Sequence, residues 1–550
     1  MRFLRSVVIL LPLLTLALAQ NPAATPSEQR ASRAFEAAKK AGAPQLYAFL
    51  KPFPKGADLH MHLSGAIYAE TFIAEAIKQG LCVSSTPPPC IADPNDKTKS
   101  CPIPTLDAKH IATPLSFAKP DKGACAPGQM TVADAANVQA IYDAMIDSFS
   151  MRSFVTSSGW SGHDQFFATF DRFSGPQNAQ GDWLDEVASR AASQNEQYLE
   201  IMNTPSFDHA AAAGYKLGWP ADFNDANHMQ KLAQLRTSLL DAGLRDDIAI
   251  DQKQLADAEA RRAEIENCAV YEKFHSGISS GCSVKIHWLY QVLRGFPPQQ
   301  VFAQTLLGFE LAAADPDVVG INFVRAEDWR GPMAEYHTEM LMLDYLHSVY
   351  PKVRITLHAG ELAPGIVPPD GLSFHVREAV ELGHAERIGH GVDVLHEDRP
   401  NQLLKEMATK HVMVEVNLTS NDVILGIKGT DHPLAAYRAA HVPWALSTDD
   451  EGVSRIDLTH EYVKGALEQN LSYANLKQSA RTALEHAFLP GESLWAAPDN
   501  FTRRKPACAA PITSTGKISA ACAKLLDASE RATQQYQLEG RFIAFESGTF

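Results

Sequence analysis

Pro54-Lys55-Gly56-Ala57-Asp58-Leu59-His60-Met61-His62-Leu63 reads as a short β-strand ending in two histidines spaced i, i+2. Successive strand side chains point to opposite faces, so His60 and His62 emerge on one side. Leu59, Met61 and Leu63 take the other, where an apolar layer can cover them. Two imidazoles side by side at a strand end suit a divalent metal, most naturally zinc. A lone HxH pair also arises by chance on a surface, so its meaning depends on what the rest of the chain supplies.

Apolar strand-like runs recur at Tyr198–Asn203, Ser283–Trp288, Val318–Val324, Val353–His358, Arg387–His390, Val412–Asn417 and Val442–Thr448. With Ala57–His62 that makes eight, separated by helical patterns such as Pro298–Ala313, Glu335–Val349, Phe374–Leu382 and Asn401–Lys410. Alternating strands and helices argue for a parallel sheet. Eight such units predict an α/β fold, a closed (β/α)8 TIM barrel. An open doubly wound sheet is the alternative, disfavoured because no Gly-rich phosphate loop follows any strand.

A barrel of this type needs roughly 250 residues, and the chain has 550. The surplus is assigned to a helical N-terminal arm at 20–56, a Cys- and Pro-rich insertion at 82–130, the long helical region Leu217–His275 and a C-terminal tail at 501–550. The insertion and the helical region fall inside a barrel domain at 57–500.

Arg2 and Arg5 precede an apolar run from Val7 to Leu18, and Ala17-Leu18-Ala19 offers a small-x-small cleavage site. Residues 1–19 therefore read as a signal peptide, and the protein as secreted or periplasmic. The run is too short for a membrane anchor, which takes about 20 residues. In an oxidising compartment the eight cysteines can form disulfides. Local pairing is expected within Cys268/Cys282, within Cys508/Cys522 and within the cluster Cys82, Cys90, Cys101 and Cys125. A net charge of −15 argues against nucleic-acid or anionic-membrane partners, which need a basic face. It also disfavours polyphosphate substrates unless one local basic pocket overrides it.

Three later stretches can complete the histidine pair. Thr356-Leu357-His358-Ala359-Gly360-Glu361 closes the fifth strand, with His358 on the parity that points inward and Glu361 in the loop above. A carboxylate there can shuttle protons beside a metal-activated water; the bland reading is a core histidine and a helix-start acid. Arg387-Ile388-Gly389-His390-Gly391 closes the sixth strand, so His390 reaches the same rim as a fourth ligand, as a group orienting the water, or as an incidental turn residue. Leu446-Ser447-Thr448-Asp449-Asp450 closes the eighth. Adjacent acids repel unless a cation or proton lies between them, although a helix N-cap would also explain one of them. Trp160-Ser161-Gly162-His163-Asp164-Gln165-Phe166-Phe167 begins an aromatic helical stripe that suits a core.

PKGADLHMHLSG, TLHAGE, RIGHG and LSTDD, in this order and spacing, resemble the adenosine/AMP deaminase family of zinc hydrolases. The leader, the PKG lead-in, the Cys-rich insertion and FLPGESLW near the end look like its secreted branch, the adenosine deaminase-related growth factors. The resemblance implies a metal-dependent hydrolase barrel holding one Zn2+ per chain on His60, His62, His358 and Asp449. Glu361 would pass a proton to the purine ring, while His390 and Asp450 orient the attacking water. Asp450, Gly360, Glu327, Trp160 and His163 would contact substrate, with Phe167 in the roofing helix.

The implied activity is hydrolytic deamination of adenosine and 2′-deoxyadenosine to inosine and ammonia. The implied partner is a small purine nucleoside, with a homodimer as the protein assembly in view and no membrane span after signal cleavage. The chain departs from the family at two places. Leu63 and Ser64 follow the HxH pair where members carry a ribose-holding acid, and Arg325 stands where many have a glycine lining the base pocket. These departures leave open a barrel deaminase acting on another purine or on AMP. A non-catalytic extracellular binding protein on the same fold is the third reading.

Overall fold

A computed structural model describes residues 24–85, 114–157, 159–270, 281–512 and 518–548. The proposed leader, Cys90 and Cys101 lie outside them.

Eight parallel strands form one sheet in the order β1 (Gly56–His62), β5 (Glu196–Asn203), β6 (Lys285–Leu293), β7 (Val318–Val324), β8 (Arg354–Ala359), β9 (Arg387–His390), β10 (Met413–Val416) and β11 (Trp444–Leu446). A parallel bridge between Met61 and Asp449 returns the last strand to the first. The sheet is therefore a closed α/β barrel, and the open-sheet alternative falls. Asp58, fully buried, fastens the closure: its Oδ2 accepts from the Thr448 amide at 3.0 Å and the Thr448 hydroxyl at 2.6 Å, and its Oδ1 from the His60 amide at 3.1 Å.

The helices cover the outside of the barrel. Pro298–Ala314 starts at a proline whose missing N–H is no loss at a helix start. It buries Phe302, Leu306 and Phe309 completely, each contributing about 1.5–3 kcal/mol by removal from water.

All eight expected strands are present. The third is displaced: expected at Ser283–Trp288, it runs from Lys285 to Leu293, because the apolar pattern continues through Leu289-Tyr290-Gln291-Val292 until Gly295 and the Pro297-Pro298 pair stop it. The N-terminal arm is two helices, Pro26–Ala41 and Ala43–Leu50, broken at Gly42 (φ 111°) just before Pro44. Of the insertion, the described part forms a three-stranded antiparallel sheet of β2 (Cys82–Ser85), β3 (Leu115–Ala118) and β4 (Met130–Thr131), stapled by Cys82–Cys125. Cys268–Cys282 and Cys508–Cys522 pair as expected. The helical region contains His228–Asp241 and Asp246–Ile265, and a further helix, Asp208–Leu217, ends where it begins.

The residues after 500 fold back onto the barrel. Helix Glu530–Glu546 sets Phe542 and Phe545 against Phe53 at 5.5 and 5.6 Å, just before β1. Gln197 of β5 donates to Gln534 Oε1 at 2.6 Å.

Candidate active site

The site forms at the C-terminal ends of the strands, where barrel active sites lie. His60 and His62 end β1, His358 comes from β8, and Asp449 follows β11. His358 Nε2 lies 3.2 Å from His60 Nε2 and 3.3 Å from His62 Nε2, and Asp449 Oδ1 lies 3.2 Å from His62 Nε2 and 3.6 Å from His60 Nε2. All four ligand atoms fall within 4.8 Å of one another, and all four residues are buried.

Each imidazole is oriented from behind by an oxygen on another strand. His60 Nδ1 meets Glu415 Oε2 at 2.6 Å, His62 Nδ1 meets Gln291 Oε1 at 2.8 Å, and His358 Nδ1 meets Asn322 Oδ1 at 2.8 Å. An oxygen can only accept there, so every Nδ1 carries the proton and every Nε2 turns a lone pair to one point. This is the outer support that metal-binding histidines use. Burial works against charge on His60, yet Asp449 and Glu415 push its pKa up to about 10. The site therefore attracts positive charge strongly: a cation that displaces the His60 proton would meet three imidazole nitrogens and one carboxylate, a set that fits tetrahedral zinc.

Below the imidazoles the barrel interior is ionic rather than aliphatic. Arg387 binds Glu200 Oε2 at 2.7 Å through Nη1 and Glu415 Oε1 at 2.6 Å through Nε, and Thr356 Oγ1 donates to the same Glu415 oxygen at 2.9 Å. Burial opposes the Glu415 charge, but Arg387 and the His60 hydrogen bond hold its carboxyl below the usual range. The glycines fit this packing. A Cβ on Gly389 would lie 2.5 Å from His60 Cε1, and one on Gly65 would lie 1.4 Å from Asp450 Oδ1.

His390 and Asp449 both have left-handed backbone, φ 68° and 61°. For non-glycine residues this costs of order 1–3 kcal/mol, and such strain gathers at functional sites. The Asp449 turn is held by its amide on His60 O at 2.8 Å, and its Oδ2 accepts from Ser420 Oγ at 2.6 Å.

A chain of hydrogen bonds fixes the His390 tautomer. The Leu434 amide can only donate, so His432 Nδ1 accepts at 3.1 Å and His432 Nε2 bears the proton. That proton goes to Asn421 Oδ1 at 3.2 Å, which turns the Asn421 amide nitrogen to His390 Nδ1 at 2.9 Å. His390 therefore presents Nε2–H to the site, 3.7 Å from Asp449 Oδ2. Burial lowers the pKa of His390 to about 3 and of His432 to about 4, so both are neutral. A neutral imidazole with its hydrogen aimed inward is a donor, not a ligand.

Glu361 is pushed well above the usual carboxylate range by burial, with Asp449 and Glu327 adding to it, which favours its protonated form. Burial and the neighbouring Asp449 raise Asp450 to about 8. Both line a cavity of about 420 Å³ with His62, His358 and Asp449; aromatic side chains including Phe72, Phe166, Phe167 and Trp183 form its other walls.

Four expected contact residues are not among those that line this cavity. Glu327 is 1% exposed and accepts from the Gly360 and Glu361 amides at 2.8 and 3.0 Å, so it supports the Glu361 loop from below. Gly360 (φ 76°) is the turn of that loop, where a Cβ would lie 2.3 Å from Asp393 Oδ1. Trp160 precedes the Ser161 capping box of helix Gly162–Phe173 and is 38% exposed, its indole N–H on Gln165 at 3.2 Å. His163, on the first turn, binds Asp328 at 2.9 Å. The cavity instead takes the inward stripe of the same helix: Phe166, Phe167, Phe170 and Phe173.

Residues 247–497 match the family model described as Adenosine deaminase. Among curated proteins, the adenosine deaminase of Clostridium perfringens (strain 13 / Type A) is 34% identical over 140 residues, 25% of this chain and 39% of that protein. The adenosine deaminase of Shewanella loihica is 38% identical over 136 residues, 24% of this chain and 38% of that protein. The match thus spans well under half the length of these relatives. Among solved structures, the N6-methyl-AMP deaminase from Arabidopsis thaliana aligns over 80% of this chain and 94% of that one, with 20% identity and a TM-score of 0.45.

Proposed function

We propose that this chain is a member of the adenosine deaminase family and hydrolyses the 6-amino group of an adenine nucleoside, adenosine and 2′-deoxyadenosine among the substrates, releasing ammonia. One observation carries the reading: three Nδ1-anchored imidazoles and Asp449 converge on one point beside the buried carboxyl of Glu361, at the mouth-facing end of the barrel. His60, His62, His358 and Asp449 would hold one zinc ion. When bound, zinc lowers the pKa of a water towards roughly 7 and so supplies a nucleophile at neutral pH.

The chain's own groups do the rest. Glu361 donates its proton to a purine ring nitrogen, which draws electrons from C6 and opens it to attack. The Nε2–H of His390 hydrogen-bonds the attacking oxygen and holds it on one face of the ring. Asp450, whose carboxyl is raised to about 8, orients that oxygen beside His390, and the carboxylate that Glu361 becomes takes the oxygen's proton and passes it to the departing amine. The C6–O bond forms, the C6–N bond breaks, ammonia leaves and the hypoxanthine base remains. The aromatic wall keeps water from the ring elsewhere and strengthens each of these hydrogen bonds.

Export to an oxidising compartment, as in the secreted branch, belongs to the same proposal; the three disulfides among the described residues support it. The test is loss of adenine absorbance together with ammonia release from adenosine or its monophosphates, with and without a chelator. Chelator-sensitive turnover is expected. Full activity after exhaustive metal removal, or no turnover of any adenine compound by the zinc-loaded protein, would overturn the reading.

A further inference from the structure

Arg325 lines the cavity together with Gln291, Val324, Glu361 and Asp450. It directly follows β7, at φ 131°, a backbone conformation that favours glycine. The chain holds an arginine there against that preference. Its guanidinium leans towards the exposed ring of Trp329, 5.9 Å from the ring centroid. Among the described residues it has no ion pair, although the barrel around it is rich in acids: Arg294 pairs with Glu327 at 3.2 Å, and Arg387 with Glu200 and Glu415. The other charged residues of the cavity wall are carboxylates, Asp171 at its edge and Glu361, Asp449 and Asp450 at its end. Ser64, also on the wall, adds a hydroxyl where an acid would repel an anion.

A strained, partly buried cation without a protein counter-charge calls for an anion from the ligand. We propose that Arg325 binds the phosphate of a purine nucleoside monophosphate, so that the proposed deamination accepts the nucleotide in preference to the neutral nucleoside. A planar guanidinium suits this role because its parallel N–H donors match two phosphate oxygens. The inference rests on the proposed deaminase activity and concerns only what that activity accepts.

The test compares adenosine, adenosine 3′-monophosphate and adenosine 5′-monophosphate on the zinc-loaded full chain, by ammonia release, for the parent, Arg325→Gly and Arg325→Lys. The parent should prefer one of the monophosphates over adenosine in kcat/KM. Arg325→Gly should lower the ratio of monophosphate to adenosine kcat/KM by about ten- to a hundredfold, the effect of losing a charged hydrogen-bonded contact. Arg325→Lys should recover part of it. KM for the monophosphate should rise with added sodium chloride while KM for adenosine stays flat. Because glycine relieves the positive φ, the melting temperature of Arg325→Gly should not fall, which separates a binding loss from a folding loss. A parent that prefers adenosine, or a ratio unmoved by Arg325→Gly, overturns the phosphate assignment while leaving deamination standing. No ammonia from any of the three substrates overturns the deaminase reading itself.

Discussion

Glu415 Oε2 stands 2.6 Å from His60 Nδ1, with both side chains fully buried and Arg387 on the other Glu415 oxygen. A carboxylate held this way keeps the His60 lone pair aimed at the metal point and makes the imidazole a stronger donor. Glu415→Gln retains the shape and an accepting oxygen but removes the charge. Zinc affinity should fall by about tenfold to a hundredfold, the usual effect of losing such support, read by competition with a chromogenic chelator. Parent-like affinity would show that the carboxylate charge is immaterial.

Gly389 tests the same ring sterically. With a Cβ 2.5 Å from His60 Cε1 and 2.9 Å from Nδ1, Gly389→Ala must push the imidazole off Glu415. Overpacking of this kind costs about 1–3 kcal/mol, so the barrel should fold with a lower melting temperature and bind little zinc. Stoichiometric zinc by elemental analysis would contradict this.

Glu361→Gln should bind zinc normally and lose about a hundredfold to ten-thousandfold in kcat, because the proton donor goes and no ligand does. The working form of Glu361 is the protonated one, and its pKa is raised. Parent activity should therefore fall as pH rises through that raised pKa, whereas the residual activity of Glu361→Gln should lack this limb. A limb shared by both proteins would assign it to another group.

Asn421 transmits the His432 proton pattern to His390. Asn421→Asp has nearly the same shape but accepts from His390 Nδ1–H, which leaves Nε2 bare. Turnover should drop by at least about tenfold with zinc content unchanged, and the nitrogen chemical shifts of His390 should report the exchanged tautomer. Unchanged shifts would break the proposed chain.

Glu339 is 1% exposed, and among the described residues neither of its oxygens is hydrogen-bonded. Burial pushes its pKa up to about 8, against the pull of Arg294. A carboxyl raised on folding stabilises while protonated, and that contribution is lost as pH rises from its ordinary value of 4.5 through about 8. The parent should lose up to ~1.4 kcal/mol per pH unit from this group across that window. Glu339→Gln should flatten the slope of urea midpoints measured at about pH 5, 6.5 and 8.5. Equal slopes would mean that Glu339 is already ionised.

The strand ends were readable in the sequence because histidines and acids are conspicuous at the close of apolar runs; His60, His62, His358, Glu361, His390 and Asp449 all sit where the four motifs put them. Their supports were harder to see. Gln291 escaped because the third strand was ended too early, at Trp288. Asn322 is uncharged within Val318–Val324 and announces nothing. Glu415 did leave a signal, a lone acid inside Met413–Val416, but naming its partner requires knowing which strand faces it across the barrel. Trp160 and His163 lie off the cavity wall, a distinction the helical period alone does not make because it shows a stripe without showing where the helix begins. The Ser161 capping box starts it after Trp160, and the stripe that faces the cavity begins at Phe166.

The hydrogen bonds from Thr448 to Asp58 join residues 390 apart in the chain. A polypeptide made from its N-terminus therefore carries the first two histidines idle through most of its synthesis, and the third arrives without the carboxylate that completes the set. Closing so long a loop comes late in folding. A product cut off before residue 449 would lack the carboxylate of the set however much of the barrel it contained, so under the proposed deamination ammonia release would report on chains translated and folded past that point.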